Sequence, residues 1–235
     1  MNKLFVLASQ GRSGTHMLRT TLNSHSRISL AHELFNTDIF EEQKNKGDPF
    51  EAPWEGGPVR DFLFDLQSVH GPRKLTGVCV QPRQFQLRPN GYNELIEMQL
   101  PSIVLYRRNI FRQYISTCQA KARGQWQAYL GDTVRTIQPL TICMEDFWGF
   151  MRIQREDLAN MLNDFPGACV VSYEQLTGNF EPTIRRVLEY LGVEPTEHLK
   201  PSTLQVGFKN LADSIGNLDE VTNALTMSGH ENFLD

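Results

Sequence analysis

The chain of 235 residues lacks a long apolar run: the longest near its start, Leu4 to Ala8, has five residues. A secretory signal needs a longer apolar core and a membrane-spanning helix needs about 20 such residues, so a cytoplasmic protein without a membrane span is expected. Cysteine is scarce, with only Cys79, Cys118, Cys143 and Cys169. They are widely separated, with no C-x-x-C pair and no Cys/His ligand spacing. That excludes a disulfide framework and a zinc cluster, and predicts small core residues in a reducing compartment. An excess of charge is missing too: 23 Lys and Arg stand against 27 Asp and Glu, a net charge of −4. Nothing attracts nucleic acid or anionic membrane wholesale, so an anionic ligand would need a local basic pocket. There is no internal repeat and no low-complexity tract. What is present, 40% hydrophobic and 21% charged residues, is ordinary globular composition and predicts a single domain over 1–235.

The chain is organised around Leu4-Phe5-Val6-Leu7-Ala8-Ser9-Gln10-Gly11-Arg12-Ser13-Gly14-Thr15-His16-Met17-Leu18. A short apolar run ended by polar residues and Gly reads as a strand buried on both faces. Gly11 and Gly14 allow a tight turn, and Thr15 to Ser24 then carries Met17, Leu18, Thr21 and Leu22 on one helical stripe. Strand, small-residue turn and helix N-terminus together make an anion cradle, because unpaired amides and the positive dipole end converge there. Arg12 adds a full charge. The nucleotide loop G-x-x-x-x-G-K-[ST] does not fit, since the two glycines are too close and His16 stands where its Lys belongs. The competing reading is a loop that only caps a helix with Ser13 and Thr15.

Downstream, Arg27 to Ala31 reads as a second strand running into His32-Glu33-Leu34-Phe35. A residue just past that strand lies at the same sheet edge as the first loop, where open α/β sheets bind ligands. Glu33 is therefore a candidate base, or else a solvated acid, and His32 competes with it because imidazole titrates near neutrality. From Asn36 to Arg73 the pattern breaks up, with Pro, Gly and aromatics predicting an irregular loop. Phe50 and Trp54 there either offer faces to a sugar or pin the loop to the core.

Leu75 to Val80 and Ser102 to Tyr106 read as further strands. After the latter, Asn109 can cap a helix with Ile110, Tyr114, Cys118 and Ala122 on one stripe and Arg112, Ser116, Gln119 and Arg123 on the other. Arg108 and Ser116 are placed to hold one phosphate, by guanidinium fork and hydroxyl, with Arg107 expected to point the other way along the strand. Thr141 to Asn163 predicts a long scaffold helix, Ala168 to Leu176 a last strand entering a turn, and Pro182 to Leu191 an amphipathic helix.

Three of these segments resemble the sulfotransferases that use 3′-phosphoadenosine 5′-phosphosulfate (PAPS). Arg12-Ser13-Gly14-Thr15 is similar to the core of their P-[KR]-S-G-[ST]-T loop, with Gly11 at the Pro position and His16 at the last Thr. Arg108-Asn109 through Ser116 resembles their R-N-P-x-D-x-x-x-S segment, with Ile110 and Arg112 departing from it. The Tyr173-Glu174-x-Leu176 unit and the later Ile215-x-Asn217-x-x-Glu220-Val221 stretch resemble their C-terminal part.

The resemblance implies an α/β, P-loop-NTPase-like three-layer fold with a central parallel sheet flanked by helices. It implies that Gly11, Arg12, Ser13, Gly14, Thr15 and His16 hold the phosphosulfate. Arg108, Ser116 and Lys209 would hold the 3′-phosphate and Tyr173 would lie by the adenine. Glu33, or failing it His32, would take the acceptor proton, with Arg12 and His16 at the sulfuryl group and no metal required. The acceptor would carry a free hydroxyl, on a small molecule or glycan, and residues 36–73 would recognise it. A homodimer is compatible with this reading. The rivals are a P-loop kinase, which needs the missing Lys and Mg²⁺ ligands, and a non-catalytic nucleotide-binding protein of the same fold.

Overall fold

The computed structural model describes residues 3–36, 54–71, 74–85, 89–195, 199–203 and 210–234. Strands β1 (Leu4–Ser9), β2 (Ile28–Ala31), β3 (Leu75–Val80), β4 (Ser102–Tyr106) and β5 (Cys169–Ser172) form one sheet in the order β2-β3-β1-β4-β5. All pairings are parallel, so the connections are crossovers and both sheet faces are covered. The three-layer α/β expectation holds, and the four strands beyond β1 begin within two residues of their expected starts.

Alternation along β1 divides the core in two. Leu4, Val6 and Ala8 face a cluster with Val59, Leu63 and Leu66 of helix α2 (Val59–His70), Leu95 of α3 (Pro89–Glu97) and Met161 of α5 (Met144–Asp164). Phe5 and Leu7 face the opposite cluster, with Leu18 and Leu22 of α1 (Thr15–Asn23) and Ile184, Val187 and Leu188 of α7 (Phe180–Tyr190). A third cluster joins Phe111 and Ile115 of α4 (Ile110–Arg123) to Phe147 of α5 and Val221 and Leu225 of α8 (Leu218–Met227). Between β5 and α7 lies the short helix α6 (Tyr173–Gly178), closed by a capping box of Ser172 and Gln175.

Two local readings are corrected. Residues 36–73 are not wholly irregular: α2 begins at Val59, with Val59, Leu63 and Leu66 buried at helical spacing. In the same stretch Trp54 is buried against Phe35 and Phe85, and a Cβ on Gly91 would come within 2.3 Å of its ring, so it pins the chain to the core. Phe50 lies outside the described residues. On α4 the expected apolar stripe is not the buried one. Phe111 and Ile115 go inward, while Ile110, Tyr114 and Cys118 are half-buried and Ala122 is exposed.

The C-terminal stretch has a structural role. Asn217 accepts from the Ile142 N–H at 2.9 Å and donates to the Ile142 carbonyl at 3.0 Å, while Ile215 and Val221 fill the third cluster. Its side chain thus replaces a strand neighbour and locks α8 onto the segment before α5. Among the described residues no helix is long and apolar enough to cross a membrane.

Candidate active site

A cavity of about 1010 Å³ opens at the carboxyl edge of the sheet. All five strands feed it or its walls: the residues following β1, Glu33 after β2, Gln81 after β3, Arg107 after β4 and Tyr173 after β5. In an open parallel sheet this is the edge where crossover order leaves a crevice.

The loop between β1 and α1 is fixed from within. Ser13 Oγ donates to the Gln10 carbonyl at 2.6 Å, and Thr15 Oγ1 donates to Ser9 Oγ at 3.0 Å. Neither caps the helix. The N-cap is Gly14, without a side chain to accept the first-turn amides, so the reading of a merely capped helix fails and the anion-binding end stays open. Gly14 has φ +95, and a Cβ there would lie 2.8 Å from Cδ2 of Tyr173. Gly14→Ala is therefore expected to cost about 1–2 kcal/mol in backbone strain, besides pushing Tyr173 away. A thermal melt should show the loss, and a Tm equal to wild type would contradict this reading of the turn.

Arg12 holds a left-handed conformation (φ 62), uncommon for a residue with a side chain. Its Nε donates to Ser116 Oγ at 3.0 Å, and one terminal nitrogen donates to the Trp126 carbonyl. Arg12 and Ser116, far apart in sequence, therefore meet inside the cavity. Burial, then the neighbouring Arg107, pulls the Arg12 guanidinium down to about 10, which leaves it charged at neutral pH.

The strand-end arginine in the cavity is Arg107, not Arg108. Arg107 lines the wall, its guanidinium lies 4.4 Å from the Tyr173 ring centroid, and its Nε is buried without a hydrogen-bond partner. Burial lowers its pKa. Arg108 is exposed, with its Nε 3.6 Å from the Glu174 carboxylate. Arg108 lies outside the cavity because strand alternation stops with β4 at Tyr106, and Glu174 accepts the N–H groups of Arg108 and Asn109, turning that segment outward. The polar stripe of α4 does face inward: Arg112, Ser116 and Gln119 all line the cavity.

Glu33 is displayed by a turn in which Leu34 and Phe35 point into the core. Gln81 Nε2 and Gln84 Nε2 each donate to one of its oxygens at 2.8 Å, and Asn36 Nδ2 to the second at 3.4 Å. It faces the cavity. His32 is buried and is not among the cavity's lining residues; its ring centroid is 5.1 Å from that of His16. His16 lines the cavity, and burial, then Arg19 and Arg12, drop its pKa to about 3. It is a neutral imidazole at working pH; of the three groups Glu33 and His16 line the cavity and His32 does not.

Lys209 lies outside the described residues. Sequence reasoning missed the glutamines. Gln113, fully buried, donates to the Gly11 carbonyl at 2.7 Å and to Gln154 Oε1 at 3.1 Å, and Gln10 Nε2 donates to the Gln154 carbonyl at 2.6 Å. The only signal was a glutamine on the side of α4 next to the Ser116 stripe.

No family model matches the chain. It is 25% identical to Nodulation protein H of Rhizobium meliloti over 202 residues, 80% of this chain and 76% of that protein. The fold is that of the sulfotransferases. A sulfotransferase domain of the curacin biosynthetic pathway superposes with a TM-score of 0.56 at 17% identity, covering 90% of this chain and 82% of that one. A sulfotransferase from Alicyclobacillus acidocaldarius gives 0.55 at 13% identity, covering 100% and 96%. The chain is thus similar to the Nodulation protein H proteins in sequence and to the sulfotransferases in fold, with the Arg12–Ser116 pair inside the cavity.

Proposed function

We propose that this chain moves a sulfuryl group from PAPS to a hydroxyl of a carbohydrate or glycolipid acceptor. The observation that carries the reading is Arg107 Nε, a buried cationic donor without a partner, in a cavity that also holds Arg12 and Arg112. Clustered guanidiniums repel one another, and a polyanion relieves both the repulsion and the unmet hydrogen bonds. The donor set suits two phosphates. The open end of α1 with Arg12, Ser13, Gly14, Thr15 and His16 takes the phosphosulfate end, Arg107 and Ser116 the 3′-phosphate, and Tyr173 a ring face.

When bound, PAPS supplies an activated sulfuryl group and a bisphosphate leaving group. The protein's part is positional and electrostatic. Arg12 and the first-turn amides of α1 stabilise the charge that grows on the leaving side. Neutral His16 can donate a hydrogen bond to the sulfuryl group without adding charge. Glu33 accepts the acceptor hydroxyl's proton. The Arg12–Ser116 bond joins the two anion positions, so occupancy of one is felt at the other.

Asn36 and Gln81, which bond Glu33, line the cavity together with the Arg83–Asp157 ion pair, a polar set suited to hydroxyl groups. Residues 1–235 act as one domain in this reading, with the 36–73 segment contributing Asn36 to the acceptor side. Calorimetry without metal tests the cofactor: adenosine 3′,5′-bisphosphate should bind more tightly than AMP, ADP or ATP. Equal or better binding of ATP with Mg²⁺ would favour a kinase.

A further inference from the structure

The carboxylate of Glu33 is gripped in a way the reaction alone does not require. Gln81 follows β3 and Gln84 sits in the 3₁₀ turn Pro82–Phe85, whose Phe85 is buried against Phe35, Trp54 and Tyr92. Gln84 Oε1 accepts from the Gln81 backbone N–H at 3.1 Å, which fixes the carboxamide's orientation and aims its Nε2 at Glu33. The Gln84 N–H in turn donates to the Gln81 carbonyl at 2.9 Å. The two side chains then take one oxygen of Glu33 each.

We propose that Gln81 and Gln84 are positioning residues that orient the Glu33 carboxylate as the base for sulfuryl transfer. Resting on the function proposed above, this names the device that sets its geometry. The chemistry of the donors is the point. A guanidinium would hold a carboxylate in place but also blunt it as a base, whereas two neutral amides fix its plane and leave its charge. Each oxygen keeps lone-pair capacity beyond the amide it accepts, and the carboxylate lines the cavity. Gln81 lies beside the phosphate-binding loop: a Cβ on Gly11 would be 3.7 Å from its Oε1, an ordinary van der Waals distance.

The test uses the full chain with Gln81→Met and Gln84→Met, singly and together, which keep length and remove the donors. PAPS turnover is followed as release of the 3′,5′-bisphosphate, with water as acceptor and with a panel of neutral oligosaccharides. The double variant should lose about 10- to 100-fold in kcat with KM for PAPS and bisphosphate affinity within twofold. In a Glu33→Gln background the same changes should cost nothing further. Melting curves separate unfolding from misorientation, and the single Gln84→Met serves if the double does not fold. An undiminished kcat, a parallel loss of bisphosphate affinity, or an equal further loss in the Glu33→Gln background each overturns the positioning role. A wild-type chain that never turns over PAPS overturns the function itself and the positioning role with it.

Discussion

Glu33→Gln should lower sulfuryl transfer by about 10²–10⁴-fold, the range for loss of a positioned general base, while bisphosphate affinity stays within twofold. The separation follows from the site: among the described residues, the carboxylate's hydrogen bonds run to Gln81, Gln84 and Asn36 and not to the cavity's arginines. Glutamine preserves size and its carbonyl oxygen keeps one of the two clamp bonds, while its NH2 meets the other clamp donor; a melting curve on the variant checks that the fold is kept. His32 cannot rescue the rate: it is buried, outside the cavity lining, and the intervening His16 is held neutral by burial and by Arg19 and Arg12. His32→Gln is accordingly expected to leave the rate within a few-fold of wild type. Steady-state turnover and calorimetry on both variants check this. A Glu33→Gln enzyme with an unchanged rate would move the base elsewhere, and a wild type without any turnover would favour a binding protein that keeps the pocket alone.

The parts of this site that were legible in the sequence are the local ones. The first strand, its turn and α1 are contiguous, so the apolar run, the glycines and the helical stripe state the cradle within a few residues. Glu33 was legible as a residue at the binding edge because it comes just past the second strand, where the first loop also lies. The α2 helix was missed although Val59, Leu63 and Leu66 carry its period, because the Gly56-Gly57-Pro58 turn just before it dominated the window. The glutamines had almost no signal, beyond the position of Gln113 beside the Ser116 stripe of α4. Gln81, Gln84, Gln113 and Gln154 act only through contacts across the sheet edge, and an amide at one position says nothing of a carbonyl or carboxylate brought beside it by folding. The orientations of Arg107 and Arg108 were not legible for a different reason: which of two adjacent arginines faces inward turns on the residue at which β4 ends.

That last point carries the second large effect. Arg107→Ala should weaken 3′,5′-bisphosphate binding about 10- to 150-fold, the equivalent of the 1.5–3 kcal/mol of a charge-assisted hydrogen bond. Arg108→Ala should change it by less than about twofold, because Arg108 is exposed and its contact with Glu174 is a surface ion pair worth ~0–1 kcal/mol. Motif spacing alone predicts the reverse, since Arg108 stands beside Asn109 and eight residues before Ser116. The structural argument outweighs it on two counts. Among the described residues Arg107 Nε is buried and lacks a partner, a cost of about 1–3 kcal/mol that an acceptor reaching it removes. Stacking on Tyr173 also holds the guanidinium toward the cavity, whereas the backbone at Arg108 is turned out by the Glu174 carboxylate. AMP, which lacks the 3′-phosphate, supplies the internal control: its affinity should fall little in either variant. Calorimetry on the two variants with both nucleotides decides it, and a loss confined to Arg108→Ala would return the 3′-phosphate to the arginine that the motif names.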